Sequence, residues 1–186
     1  MKSEKEKMLG GEPYNPFDAQ LVAERQRARL LFKAFNDTSD DQPEERLRLF
    51  RALIPSVGVG LLIEPPFYCD YGGNITIGDH VFFNFNCVIL DIAPVTIGDH
   101  VLFGPGVQIY AATHPLSSVQ RRAGVELGKP VTIGDDVWVG GGVIICPGVT
   151  IGPRSVIGAG SVVTKDIPED VLAYGNPCRV VRAIEG

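Results

Sequence analysis

The stretch VTIGDDVWVGGGVIICPGVTIGPRSVIGAGSVV, Val131 to Val163, divides into units of six residues. Read as VTIGDD, VWVGGG, VIICPG, VTIGPR, SVIGAG and the start of SVVTKD, it carries an aliphatic residue at each third place: Ile133, Val139, Ile145, Ile151, Ile157 and Val163. Toward the N-terminus the same frame fits ITIGDH, VFFNFN and CVILDI from Ile75. After Ala93 and Pro94 it resumes as VTIGDH, VLFGPG and VQIYAA. The third places there are Ile77, Phe83, Ile89, Ile97, Phe103 and Ile109. Self-similarity of this kind marks a repeat architecture.

The chemistry of the unit explains its shape. Places one to three are β-formers whose side chains alternate, so the first and third point one way and the second the other. Gly, Asp, Asn or Pro then follow, the residues that tolerate left-handed or sharply turned backbone. Each unit is a short strand plus a corner. Stacked units pair strand over strand and fill a continuous interior with their third-place residues. The period implies a parallel β-helix closed by three units per turn; it does not reveal the handedness.

Two helices are expected before the coils. DAQLVAERQRARLLFKAFN, from Asp18 to Asn36, places Leu21, Leu30, Leu31 and Phe35 near helical spacing, and PEERLRLFRALI sets Leu47, Phe50 and Leu53 or Ile54 on one face. The polar turn DTSDDQ joins them. Residues 1–56 thus form a helical N-terminal segment packed on the first coil, and 57–186 the β-helix. At the far end AYGNPCRVVRAI breaks the repeat at Gly175 and Pro177, then offers an apolar tail to cover the open strand edges.

Composition narrows the function. The 186 residues carry a net charge of -5, with 45% hydrophobic and 21% charged side chains, as in an ordinary soluble globular protein. No basic cluster exceeds RQRAR and QRR, which argues against nucleic acid as a partner. MKSEKEKMLGG lacks a signal-peptide core, and ALIPSVGVGLLI is too short and too rich in Pro and Gly to span a membrane. Cys69, Cys87, Cys146 and Cys178 lie far apart without CxxC spacing, so reduced, mostly buried thiols in a cytoplasmic protein are expected.

The repeat fails between Ala112 and Val131. THPLSSVQRRAGVELGKP has no third-place series and carries two prolines and two glycines, so 113–130 is an extruded loop. Loops longer than about 12 to 15 residues without secondary structure are usually functional or disordered. His80 and His100 both fill the sixth place of an IGDH unit and are corner residues, in the slot of Asp136 and Arg154. His114 alone stands outside the repeat, at the root of the loop with Pro115 behind it. An imidazole there either satisfies local hydrogen bonds or acts as a general base presented by a rigid scaffold.

These residues resemble a known family. The hexapeptide repeats, the THP triplet before a loop, the KPVTIGDDVWVGGG run and the VVTKDIP...GNPCRVVR ending look like those of the sugar O-acetyltransferases of the hexapeptide-repeat class, the maltose and galactoside acetyltransferases. The likeness extends over EKEKMLGGEPY and EPPFYCDYGGN. It implies a left-handed β-helix, against the right-handed rule for parallel crossovers, and a homotrimer with active sites between subunits. Apolar second-place side chains agree with association, among them Phe82, Leu102, Trp138 and Ile144.

The activity so implied is acetyl transfer from acetyl-CoA to a sugar hydroxyl, with His114 taking the hydroxyl proton and no metal required. A free imidazole has a pKa of about 6.5 and suits that task near neutral pH. The resemblance points to Arg25, Asp70 and Asp91 for the acceptor, since carboxylates and Arg fix hydroxyls through charge-assisted hydrogen bonds. Each has a plainer reading: Asp91 shares the repeat place of Asp79, Asp99 and Asp135, and Arg25 is equally a solvated helix charge. Asn84, at a corner where most units have Gly, is either a turn-tolerant Asn or a ligand of acceptor or thioester. Glu126 is a candidate to orient the imidazole across an interface. For CoA, Trp138 either packs between subunits or walls the pantetheine channel, Gly141 and Ala159 permit close backbone approach, and the resemblance points to Thr164, Lys165, Arg179 and Arg182, whose cations either meet the phosphates or are ordinary solvated charges near the C-terminus.

Two departures bear on the acceptor. The galactoside pattern has a second carboxylate where this chain has Ile92, and an acidic residue where it has Pro16, which moves the expectation to a maltose- or glucose-type sugar. A zinc enzyme on the same scaffold needs three converging histidines, and two of the three here occupy corner slots. A noncatalytic assembly module and an acetyltransferase for another hydroxyl compound are the remaining alternatives.

Overall fold

The computed structural model describes residues 2–185. Its centre is a left-handed parallel β-helix, a prism walled by three sheets of short strands. The first wall stacks Ser56–Val57, Ile75–Ile77, Val95–Ile97, Val131–Ile133 and Thr150–Ile151. The second stacks Leu62–Ile63, Phe82–Phe83, Leu102–Phe103, Trp138–Val139, Val156–Ile157 and then Val171–Gly175. The third stacks Phe67–Cys69, Cys87–Leu90, Gln108–Tyr110, Ile144–Ile145 and Val162–Val163. Register superposes equivalent repeat places: Thr76 pairs with Thr96, and Thr96 with Thr132.

All the third-place residues named above are at most 2% exposed. Phe83 and Phe103 stack inside the prism with ring centroids 4.6 Å apart. The right-handed rule for parallel connections comes from a twisted strand feeding a crossover that returns to the same sheet. Here each strand up to Val163 is two to four residues long and passes round a corner into a different wall, so that constraint is absent. The corners supply the hand instead. Sixth-place His80, His100, Asp136 and Arg154 all have φ of 56 to 58°, and sixth-place Gly106, Gly142 and Gly160 are likewise left-handed.

One corner is built differently. Between the third and first walls the sixth places are mixed: Gly72 and Gly148 are left-handed, whereas Ile92, Ala112 and Asp166 are not, and a β-branched residue such as Ile92 strongly resists that region. The chain turns there by widening. Thr76 to Thr96 is a step of 20 residues, whereas Thr132 to Thr150 is 18. In the third coil the same corner carries the loop. Ala112–Thr113 pairs antiparallel with Leu127–Gly128 at its base, and it contains a short helix, Ser118–Arg122, so the loop expected to lack secondary structure has some.

Helix α1 spans Glu4–Leu9, α2 Ala19–Asn36 and α3 Pro43–Leu53. Asp18 caps α2 by accepting from the N–H groups of Gln20 and Leu21. The faces differ from expectation: α2 buries Leu21, Ala28 and Phe35 and leaves Leu30 72% exposed, while α3 buries Leu49, Phe50 and Leu53 but not Leu47. The first coil selects them, because Phe35, Phe50, Phe67 and Phe83 form a chain of ring contacts 5.3 to 5.9 Å apart that leads into the prism. Asn36 clamps this junction, donating to Phe67 O and accepting from Phe67 N.

At the far end Val171–Gly175 extends the second wall and pairs antiparallel with Cys178–Ala183. The four cysteines are free thiols. Among the described residues no helix is long and apolar enough to cross a membrane.

Candidate active site

The widened corner, its loop and the start of α2 enclose a cavity of about 270 Å³. Pro16, Phe17, Arg25 and Arg29 line it from the N-terminal segment. Asp70, Tyr71 and Ile92 come from the corners of the first two coils. Ala112, Thr113, His114 and Glu126 come from the two strands of the loop. Four residues singled out from the sequence, Arg25, Asp70, His114 and Glu126, are brought together here although they span about half the chain.

Arg25 is fixed by its neighbours. Its guanidinium donates to Tyr71 Oη at 2.7 Å and to the carbonyl of Pro16 at 2.6 Å, and lies 5.7 Å from the centroid of the Tyr71 ring. Glu126 is fixed likewise: Tyr14, 5% exposed, donates its hydroxyl to Glu126 Oε2 at 2.7 Å, and a backbone bridge joins the same two residues. The Asp70 carboxylate makes no hydrogen bond with another described residue. Desolvation raises its pKa, Glu126 adds to the rise, and Arg25 and Arg29 oppose it. An unpaired carboxylate in a cavity of this kind is free to accept from a ligand hydroxyl.

His114 is exposed at the cavity wall, and its imidazole makes no hydrogen bond with another described residue. Glu126 shares the cavity with it in the same chain, but its carboxylate is engaged by Tyr14. Asp91 departs from its expected place as an acceptor ligand. It is 0% exposed, does not line the cavity, and accepts from the backbone N–H groups of Asp70, Tyr71 and Asn74 at 3.0, 2.9 and 3.3 Å. Desolvation is the largest cause raising its carboxyl to about 6, Asp70 adds to it, and the Tyr71 and Asn74 N–H bonds oppose it.

The cofactor candidates fall into two groups. Thr164 and Lys165 occupy the same edge of the prism as His114, in a later coil. Lys165 and Arg179 line a cavity of about 400 Å³ with Asp166, Ile167, Cys178 and Val180, and Arg182 is exposed further along the last strand. Asn84, Gly141 and Ala159 sit on a different edge, between the second and third walls, with Trp138 54% exposed on the second wall. Asn84 Oδ1 accepts from Phe85 N at 2.8 Å, and its NH₂ group makes no hydrogen bond with another described residue. A Cβ on Gly140 would stand 2.6 Å from Ala159 N, a measure of how closely the coils stack there. The third wall lies between Asn84 and His114, so one chain does not bring them together. Among the described residues no three His, Cys, Asp or Glu side chains converge as metal ligands would.

Sequence reasoning missed Tyr14, Phe17, Arg29 and Tyr71. Arg29 carried a signal, standing four residues after Arg25 and hence on the same helix face. Tyr14 and Tyr71 are placed by contacts distant in sequence.

Sequence and structure comparisons supply the class first. A pattern described as the maltose acetyltransferase hexapeptide capping motif matches residues 7–58, one described as the hexapeptide repeat of succinyl-transferase matches 74–111, and one described as bacterial transferase hexapeptide repeats matches 130–165. Nodulation protein L of Rhizobium meliloti is 52% identical over 96% of this chain and 98% of its own. A maltose O-acetyltransferase from Clostridium difficile superposes with a TM-score of 0.98 at 51% identity, covering 100% of this chain and 99% of that one. A hexapeptide-repeat acetyltransferase from Vibrio cholerae, solved with acetyl coenzyme A, gives 0.93 at 46% identity, covering 100% of both. The chain therefore belongs to the maltose and galactoside O-acetyltransferase family, and it is an acyltransferase.

Proposed function

We propose that this enzyme transfers the acetyl group of acetyl-CoA to a hydroxyl of a maltose- or glucose-type sugar, with His114 as general base. The observation that carries the reading is His114 in one cavity with Asp70, Arg25 and Glu126. A sugar hydroxyl is a weak nucleophile while protonated. His114 accepts its proton as the oxygen attacks the thioester carbonyl, and the departing CoA sulfur takes that proton up. Asp70 accepts from a second sugar hydroxyl and Arg25 donates to a third, which fixes the pose and lowers the entropic part of the barrier. Ile92 and Pro16 leave two places of the wall without carboxylates, which supports a maltose- or glucose-type acceptor over a galactoside.

Acetyl-CoA lies along the edge holding Asn84, Gly141 and Ala159, with cations such as Lys165 and Arg179 meeting phosphates. Those side chains are exposed and line a cavity, as the fit requires. Asn84 presents its NH₂ to the thioester oxygen. Because Asn84 and His114 occupy different edges, the complete site is formed between two subunits of a homotrimer. The chemistry of the walls supports association. The outward row of the first wall is Thr76, Thr96, Thr132 and Thr150, all exposed and polar, while that of the second includes Leu62, Leu102 and Trp138, 46 to 67% exposed.

The test is CoA release from acetyl-CoA with maltose, glucose, galactosides or no acceptor, in wild type and His114→Ala. Turnover is expected to require a sugar, and the variant to lose about 10²-fold or more in kcat. A variant that keeps wild-type turnover removes His114 from the role. A wild type that binds acetyl-CoA but ignores every sugar removes the sugar.

A further inference from the structure

The corners of the prism repeat one hydrogen bond. Asp79 accepts from Val59 N at 2.8 Å, Asp99 from Asp79 N at 2.7 Å, Asp135 from Asp99 N at 2.9 Å and Asp166 from Thr150 N at 2.8 Å. Each takes one N–H of a neighbouring coil, and none is buried. Asp91 takes three N–H groups, from Asp70, Tyr71 and Asn74, is wholly buried, and its own carbonyl accepts from Asn74 Nδ2 at 2.7 Å. The corner it grips is the one that carries Asp70 into the cavity and sets Tyr71 under Arg25.

We infer that Asp91 is a positioning residue of the acceptor site: it never touches the sugar, and from beneath the cavity it fixes the backbone that presents Asp70 and Tyr71. The inference rests on the acceptor reading given above. The gripped corner turns at Gly72, whose φ is 72°, and the carboxylate beneath it fixes the amides on either side of that turn. Without it the 70–74 segment has three backbone donors with no partner, and a misplacement of about 1 Å at a binding group is enough to lose orders of magnitude in rate.

Asp91→Ala and Asp91→Asn separate this role from a direct one. Asn keeps an oxygen that accepts from Asp70 N and Tyr71 N and loses the charge and the longer bond to Asn74 N. Expected for Asp91→Ala is a fall of about 30-fold or more in acceptor kcat/KM, with KM for acetyl-CoA within about twofold of wild type. Expected for Asp91→Asn is recovery to within about fivefold of wild type. An Asn variant as impaired as the Ala variant shows that the charge meets the sugar directly, and overturns the inference. Parallel loss of acetyl-CoA binding in both shows a general role in folding and also overturns it.

Amide hydrogen exchange gives a readout independent of any sugar. Faster exchange confined to 70–74 in Asp91→Ala, by about tenfold or more and largely restored by Asn, supports the inference even if no sugar is a substrate. Unchanged exchange at those amides defeats it even if sugar acetylation stands. Should Asp91→Ala not fold, the Asn variant decides alone: near-normal acceptor kcat/KM with protected 70–74 amides supports positioning, and lost kcat/KM with the amides still protected refutes it.

Discussion

Burying a carboxylate leaves a thermodynamic signature. Asp91 is the only charged residue in the buried class among the described residues, and desolvation raises its carboxyl from 3.8 to about 6. The folded state therefore holds the proton more tightly than the unfolded chain. Stability from this linkage is fully present below about pH 4 and is lost as pH rises through about 6, an effect of up to about 3 kcal/mol. Asp91→Asn does not titrate. Between pH 4 and 7 wild type is expected to lose up to about 3 kcal/mol relative to this variant, read by urea unfolding at fixed protein concentration. A difference that stays constant over that range means the carboxyl titrates normally and the burial argument fails. In the sequence Asp91 was legible as one more corner aspartate. What hid its burial is a contact with the neighbouring coil, whose widened corner offers the carboxylate three N–H groups from Asp70, Tyr71 and Asn74.

The loop bearing His114 is an element held from outside the repeat. Tyr14 reaches it from the N-terminal segment, by a backbone bridge and by the hydroxyl bond to Glu126. Burial and the Glu126 carboxylate both raise the Tyr14 pKa, so at ordinary pH the phenol stays a donor. Tyr14→Phe removes that donor while keeping the ring. It is expected to cost about 1 to 3 kcal/mol, and to raise KM for the acceptor about threefold or more while leaving KM for acetyl-CoA unchanged. If stability and both constants stay at wild-type values, the tether is idle. The elements differ in how much of them can be read from sequence. The hexapeptide coils are written out in full, because one six-residue period encodes the buried row, the outward row and the corner together. The start of α2 is legible from Asp18, but its buried face is not, because that face is set by packing on α3, where Phe35 meets Phe50 and Leu30 stays outside. The loop was legible only as an interruption. Its partner Tyr14 lies 112 residues away, where no local pattern reaches.

At the scale of the whole molecule the candidate residues do not close into one site. His114, Asp70 and Arg25 gather at the edge between the third and first walls, and Asn84, Gly141 and Ala159 at the edge between the second and third. Both edges bound the third wall. Three prisms set with that wall toward a three-fold axis bring the first edge of each against the second edge of the next, a heterologous contact that closes as a ring. Individual residues were legible in the sequence; their division between edges was not, because it depends on which corner each unit turns. The division makes a complementation experiment decisive. In the proposed homotrimer, His114→Ala and Asn84→Ala chains are each expected to be nearly inactive alone, since every site then lacks one partner. In trimers reassembled from an equal mixture, a site is intact when its His edge comes from the Asn84→Ala chain and its Asn edge from the His114→Ala chain. Random assembly gives that pairing at about one site in four, so activity is expected to recover to about a quarter of wild type. A site contained within one chain has no intact copy in any mixture. Activity that stays at the level of the separate variants, with mixed trimers verified by mass spectrometry, therefore refutes the shared site.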